Sequence, residues 1–174
     1  MDRKITRILV LTLYSGENEF GACKASVSRQ SDVETEQIVF SGLGHVEAHR
    51  RLYTEIMSRA GEFDLFLKLD ADMVLTRPTA LAEIADYFKA RPGLDRLETQ
   101  VHDHFTGKTI FGVHVFSPNV RWDLDTHHSS LFIDPAPQCP GTVIRDPDDL
   151  EIYVDHAPDP SPYQAFHFGF HRAL

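Results

Sequence analysis

Two carboxylates one residue apart, Asp70 and Asp72, close the apolar run Phe66-Leu67-Lys68-Leu69, and apolar residues resume at Met73-Val74-Leu75. The run reads as a buried strand, so the carboxylates sit where that strand leaves the core. In an open α/β sheet, ligands bind in the crevice at the carboxyl ends of the strands. Two hard oxygen donors there suit Mg²⁺ or Mn²⁺, above all an ion already carried by phosphates. The competing reading is a solvated Asp-x-Asp turn that caps the next helix.

Histidine is the second chemically active residue type, with 10 in the chain, most of them in its second half. His45 and His49 are four apart and stack on one face of a helix's first turns. His-Val-Glu-Ala-His is not the metalloprotease pattern, which needs Glu directly after the first His. A helix N-terminus that follows a strand favours anions, so His45, His49, Arg50 and Arg51 can line a diphosphate site. For His49 the plainer reading is a histidine at the edge of the core.

The elements that must position these groups alternate. Ile8 to Leu13 read as a buried first strand, broken by Tyr14-Ser15-Gly16. Phe20, Cys23 and Val27 have the spacing of one helix face. Gln37 to Phe40 form a second strand, with Ser41 to Gly44 as its turn. From His45 to Ala60, the residues Val46, His49, Tyr53, Ile56, Met57 and Ala60 make a helical stripe that Gly61 stops. After the strand of the Asp pair, Pro78 opens a helix with Leu81, Ile84, Ala85 and Phe88 buried, ended by Arg91-Pro92-Gly93. Strand–helix alternation over the first ninety residues is the mark of a parallel, doubly wound α/β unit.

Beyond Gly93 the texture changes. Leu97 to Gln100 read as a transition, Val101 to His104 as polar, and Thr109 to Phe116 as an imperfectly alternating strand. Asp123 to Ser130 read as a loop, Leu131 to Ile133 as a brief strand, and Leu150 to Val154 as a last strand ending at Asp155-His156. Pro158, Pro160 and Pro162 exclude helix locally, and Gln164 to Leu174 can be helical.

At 174 residues one domain is the default, with a nucleotide-binding half over 1–92 and an acceptor-side half over 93–174. The chain stops inside a helical pattern, which reads as a fragment or a minimal version of something longer. The formal net charge of −9 argues against nucleic acid as a partner, because phosphate backbones need a basic footprint. Cys23 and Cys139 fit no metal spacing and read as free thiols of a reducing, cytoplasmic compartment. No apolar run reaches spanning length.

With these pieces in order, the chain resembles a glycosyltransferase of the GT-A type, close to family 2. The strand Leu65-Phe66-Leu67-Lys68-Leu69-Asp70-Ala71-Asp72-Met73-Val74-Leu75 is similar to the strand end of nucleotide-sugar transferases, and Val154-Asp155-His156 matches their strand-terminating His. The resemblance covers residues 5 to 90 well and is loose from 97 to 174. It implies a three-layer α/β sandwich with a mostly parallel central sheet. It also implies transfer of a sugar from a nucleotide-diphosphate sugar to a glycan, lipid-linked or protein acceptor. A lipid-linked acceptor would bring peripheral membrane association. By this match Asp72 is the main ligand of Mn²⁺ or Mg²⁺, and Asp70 touches the ribose or a metal-bound water. Lys68 belongs to the donor site, and His156 completes the metal site with His171 and His167 as rivals. The chemistry is coherent, since a divalent cation neutralises charge on a departing diphosphate.

The match has gaps. Ser41-Gly42 stand where many members carry a base-reading acid, and Asp32 and Glu36 lie too early to replace it. No general base stands out; Asp103, Asp123 and Asp125 are the carboxylates to consider, and each also reads as a loop or turn residue. Asp70-Ala71-Asp72-Met73-Val74 also fits the nucleophile motif of haloacid-dehalogenase-like phosphohydrolases. Against that stand Lys68, the two strand–helix units that precede the motif, and the lack of a well-placed downstream lysine and acidic pair. A non-catalytic domain that binds a nucleotide or glycan is the third reading.

Overall fold

The computed structural model of the chain describes residues 5–124, 135–151 and 153–173, without the side chains of 171–173. Strand β1 (Thr6–Tyr14) is buried along most of its length because its apolar run is continuous. Ile8 and Val10 join a core with Cys23, Val27 and Leu67, whereas Leu9 and Leu11 join a second core with Leu52, Tyr53, Ile56 and Phe66. Alternate residues of one strand thus serve two faces.

Helix α1 (Phe20–Ser28) leads to β2 (Val33–Ser41), which pairs parallel with β1 up to Tyr14 opposite Ser41. Helix α2 (His45–Ser58) follows, then β3 (Leu65–Lys68), parallel to β1 on its other side. The buried stripe on α2 keeps His49, Tyr53 and Ile56 of the expected one, adds Ala48 and Leu52, and loses Val46, which is exposed. Strand β4 (Met73–Leu75) and helix α3 (Ala80–Lys89) come next. Pro78 lies in the turn before α3 rather than inside it.

Strand β5 (Leu94–Asp103) runs through the stretch that reads as a polar transition, and it is mostly buried. Its polar residues escaped the strand pattern because they are paired inside: Asp95 with Ser117, Glu98 with Arg96 and Arg145, and Asp103 with His156. Strand β6 (Lys108–Phe116) is antiparallel to β5 and to β3. A bulge opposite Thr99 and Gln100 leaves Gly112 packed so tightly that a Cβ there would meet Val101 and Met73 at 2.9 and 3.0 Å.

Strands β7 (Arg121–Trp122) and β8 (Pro137–Gln138) form a separate pair, and β9 (Thr142–Arg145) pairs with β5. The last strand, β10 (Val154–His156), starts later than the Leu150–Val154 reading. Helix α4 (Pro162–Ala173) begins at a proline that occupies the first helical position, where its missing N–H costs nothing. The expected strand at Leu131 to Ile133 lies outside the described residues.

The main sheet runs β2-β1-β3-β6-β5-β10-β4. The class is α/β with a mostly parallel central sheet. Residues before and after 92 share that sheet, through β3 with β6 and β4 with β10.

Candidate functional site

Past β3 the backbone keeps its hold on β1. Leu69 and Ala71 donate their N–H groups to the Leu11 and Leu13 carbonyls at 3.0 and 3.1 Å. Asp70 and Asp72 are thereby held at the carboxyl end of β1. A turn, with Met73 N–H bonded to the Asp70 carbonyl at 2.9 Å, sends the chain into β4. Strand β10 runs antiparallel to β4, which sets His156 opposite Met73. The Ala157 N–H then donates to the Asp72 carbonyl at 2.8 Å.

The imidazole of His156 lies between two carboxylates. Its Nε2 is 3.3 Å from Asp72 Oδ2, and its Nδ1 is 2.8 Å from Asp103 Oδ1. Burial works against a charge on His156, but the hydrogen bonds and charges of Asp72 and Asp103 outweigh it and push the pKa up to about 9. Asp103 is fully buried. Burial would raise its pKa, yet it stays below the usual range because Thr106, His156 and the Phe105 N–H all bond to it.

The remaining oxygens of the Asp pair are differently placed. Asp70 Oδ2 is 3.6 Å from Lys68 Nζ, and Asp72 Oδ2 faces His156. Asp70 Oδ1 and Asp72 Oδ1 are both buried with no hydrogen-bond partner among the described residues. Bare buried carboxylate oxygens are costly unless a cation meets them.

These groups floor a cleft of about 450 Å³. Ser15, Gly16 and Glu17 form one wall, and Phe105 with Tyr163, Gln164, His167 and Phe168 forms the other. Gly16 turns the chain there with a φ of 112°, which side-chain-bearing residues rarely adopt. Helix α4 is latched across the opening. Gln164 Oε1 accepts from the Asn18 N–H at 3.0 Å, and its Nε2 donates to buried Glu19 at 2.7 Å. Phe168 stacks on Phe105 with ring centroids 4.4 Å apart, and both rings flank His156.

Solved structures share this architecture. One is a glycosyltransferase involved in the glycosylation of the major capsid of PBCV-1, 13% identical, covering 93% of this chain and 98% of that one, with a TM-score of 0.55. Another is S. aureus TarS, 10% identical, covering 93% of this chain but 38% of that one, also with a TM-score of 0.55. The chain has a glycosyltransferase-like fold. No protein-family model and no curated protein matches its sequence.

Within this glycosyltransferase-like fold, the candidate residues divide. Asp70, Asp72 and His156 meet in the cleft, Lys68 adjoins Asp70, and His167 lines the rim, stacked on Tyr163 at 6.0 Å. His171 lies on α4 with its side chain outside the described atoms. Helix α2 starts at the same carboxyl edge, four residues after β2, yet His45, His49, Arg50 and Arg51 do not line this cleft. His49 Nδ1 bonds the His45 carbonyl at 2.9 Å, and Arg51 pairs with Glu47. Of the base candidates, Asp103 is buried behind His156 as its partner, Asp123 is exposed beyond β7, and Asp125 lies outside the described residues.

Sequence reasoning missed Glu19, Phe105, Phe168 and Gln164. One signal was present. Ser161-Pro162-Tyr163-Gln164 is a capping box: Gln164 N–H bonds Ser161 Oγ at 3.2 Å, and Ser161 N–H bonds Gln164 Oε1 at 3.0 Å. Among the described residues no helix is long and apolar enough to cross a membrane.

Proposed function

We propose that this chain is a metal-dependent glycosyltransferase domain of the GT-A type, with helices layered on both faces of its sheet. It moves a sugar from a nucleotide-diphosphate sugar to a glycan or lipid-linked acceptor. The observation that carries this reading is the convergence of Asp70, Asp72 and His156, with two buried carboxylate oxygens left bare. Asp72, Asp70 and His156 would hold Mn²⁺ or Mg²⁺, a set of two carboxylates and one imidazole that suits these ions. When bound, the ion supplies charge neutralisation to a departing diphosphate.

The chain's own residues have separable tasks. His156, once unprotonated at Nε2, would offer that nitrogen as a ligand. Asp103 keeps Nδ1 protonated and the ring aimed, as a second carboxylate behind a metal-binding histidine commonly does. Lys68 offsets charge at Asp70. Phe105 and Phe168 exclude water from the back of the site, and the rim at Tyr163 and His167 is left for the acceptor.

Calorimetry with nucleoside diphosphates tests this. Binding should require Mn²⁺ or Mg²⁺, fall about 100-fold or more in Asp72→Asn, and fall less in His156→Ala. Metal-dependent binding that survives unchanged in both variants would sink the assignment. Turnover of generic phosphoesters without any nucleotide sugar would instead favour Asp70 as a phosphohydrolase nucleophile. Nucleotide binding with no turnover of any donor would make this a binding domain.

A further inference from the structure

Strands β5 and β10 are parallel neighbours, with Asp155 beside His102 and His156 beside Asp103. Successive side chains of a strand point to opposite faces. Asp103 and His156 therefore share the cleft face, and His102 and Asp155 share the other. His104, just beyond β5, is fixed by its N–H, which donates to the His156 carbonyl at 3.1 Å.

On that outer face three donor atoms converge. His102 Nδ1 and His104 Nε2 are 3.3 Å apart, and each is 3.4 Å from Asp155 Oδ1. The triangle is nearly equilateral. Charge-assisted N–H···O bonds close to about 2.7–2.9 Å, so both contacts to Asp155 are too long for that role. They fit a metal polyhedron instead. A tetrahedron's edge is about 1.63 times its bond, so these edges correspond to bonds of about 2.0–2.1 Å, the length of Zn–N and Zn–O bonds. An octahedral face of the same size would need bonds of about 2.4 Å, too long for Mg²⁺.

We propose that His102, His104 and Asp155 form a tetrahedral Zn²⁺ site on the face of β5 and β10 opposite the cleft, with its fourth position open to solvent. Two imidazoles and one carboxylate suit Zn²⁺, whereas the cleft offers more carboxylate than imidazole. The side chains are one third to one half exposed, which gives the ion an entry path. Its consequence is mechanical. A bound ion ties Asp155, the middle residue of three-residue β10, to the end of β5, and so braces the neighbouring His156. This site stands or falls independently of the sugar-transfer reading.

The test is titration of the metal-stripped full chain with Zn²⁺ and with Co²⁺ as its spectroscopic substitute. Wild type should show the intense visible absorption of tetrahedral Co²⁺, bleached by Zn²⁺, and a Zn²⁺-dependent rise in Tm. Asp72→Asn should keep both signals. His102→Ala and His104→Ala should each weaken binding by about 100-fold or more. His104→Gln, which retains a polar side chain at an exposed position, should fail equally. Loss of the signals in Asp72→Asn, their survival in either His→Ala variant or in His104→Gln, or a weak octahedral Co²⁺ spectrum in the wild type would each overturn the proposal.

Discussion

The two faces of the β5–β10 pair carry the same side-chain types in inverted proportion. Inside, one imidazole sits between the carboxylates of Asp72 and Asp103. Outside, one carboxylate sits between the imidazoles of His102 and His104. On the inner face, Asp103 and His156 are buried, the hydrogen bond between them is short, and His156 is held charged. The outer set is half solvated and its contacts are long. Low dielectric makes the inner charges depend on one another, while water satisfies the outer ones separately. The same strand register therefore yields a self-ordered network on one face and a ligand-ready triangle on the other.

The sharpest way to break this contrast is to remove one carboxylate from each face. Asp103→Ala strips His156 of its closer partner and leaves a buried imidazolium half compensated, a change that costs about 3–5 kcal/mol. For a chain of this length that lowers Tm by about 10 °C. Asp155→Ala removes a partner that is one third exposed and should cost only about 0–1 kcal/mol. Calorimetric unfolding of the metal-free proteins measures both. Equal shifts would mean that burial does not separate the two faces.

A smaller effect follows from pH. The folded-state pKa of His156, about 9, lies above the ordinary histidine value of 6.5. Its stabilising contribution is thus complete below pH 6.5 and disappears as pH rises through about 9. Metal-free wild type should lose Tm across that window, and His156→Asn should not. Binding of Mn²⁺ in the cleft should run the other way, strengthening up to tenfold per pH unit toward 9, because the ion must displace a proton. A flat Tm profile in wild type across that window would contradict the charged His156.

The first half of the fold was legible because its strands are continuous apolar runs and its helices carry periodic stripes. The carboxyl-edge position of Asp70 and Asp72 followed from the same pattern. Strand β5 was not legible. Asp95, Glu98 and Asp103 look like loop residues until their partners are known, and those partners lie just past β6 at Ser117, on β9 at Arg145 and on β10 at His156. For the same reason Asp103 stood among the general-base candidates and loop residues when it is the buried partner of His156. The outer triangle escaped too, since His102 and His104 are two apart in sequence but Asp155 joins them only through strand pairing.

The smallest effect concerns the latch that brings α4 over the cleft, and it can be separated from helix capping by two substitutions at one residue. Gln164 serves both the capping box with Ser161 and the latch to Asn18 and Glu19. Gln164→Ala removes the latch and the side-chain half of the capping box, leaving its backbone N–H on Ser161 Oγ, at about 1 kcal/mol per net hydrogen bond lost. Gln164→Glu keeps a residue able to complete the capping box, but it faces Glu19 with like charge and cannot donate to it. If α4 is held by the latch, both variants should speed hydrogen exchange of the α4 amides and weaken nucleotide binding, while exchange in β5 and the Co²⁺ spectrum of the outer face stay unchanged. If capping alone holds the helix, the Glu variant should behave like wild type and only the Ala variant should open. Raising the salt concentration sharpens the distinction, because screening should partly restore the Glu variant by relieving its repulsion from Glu19 and do nothing for the Ala variant.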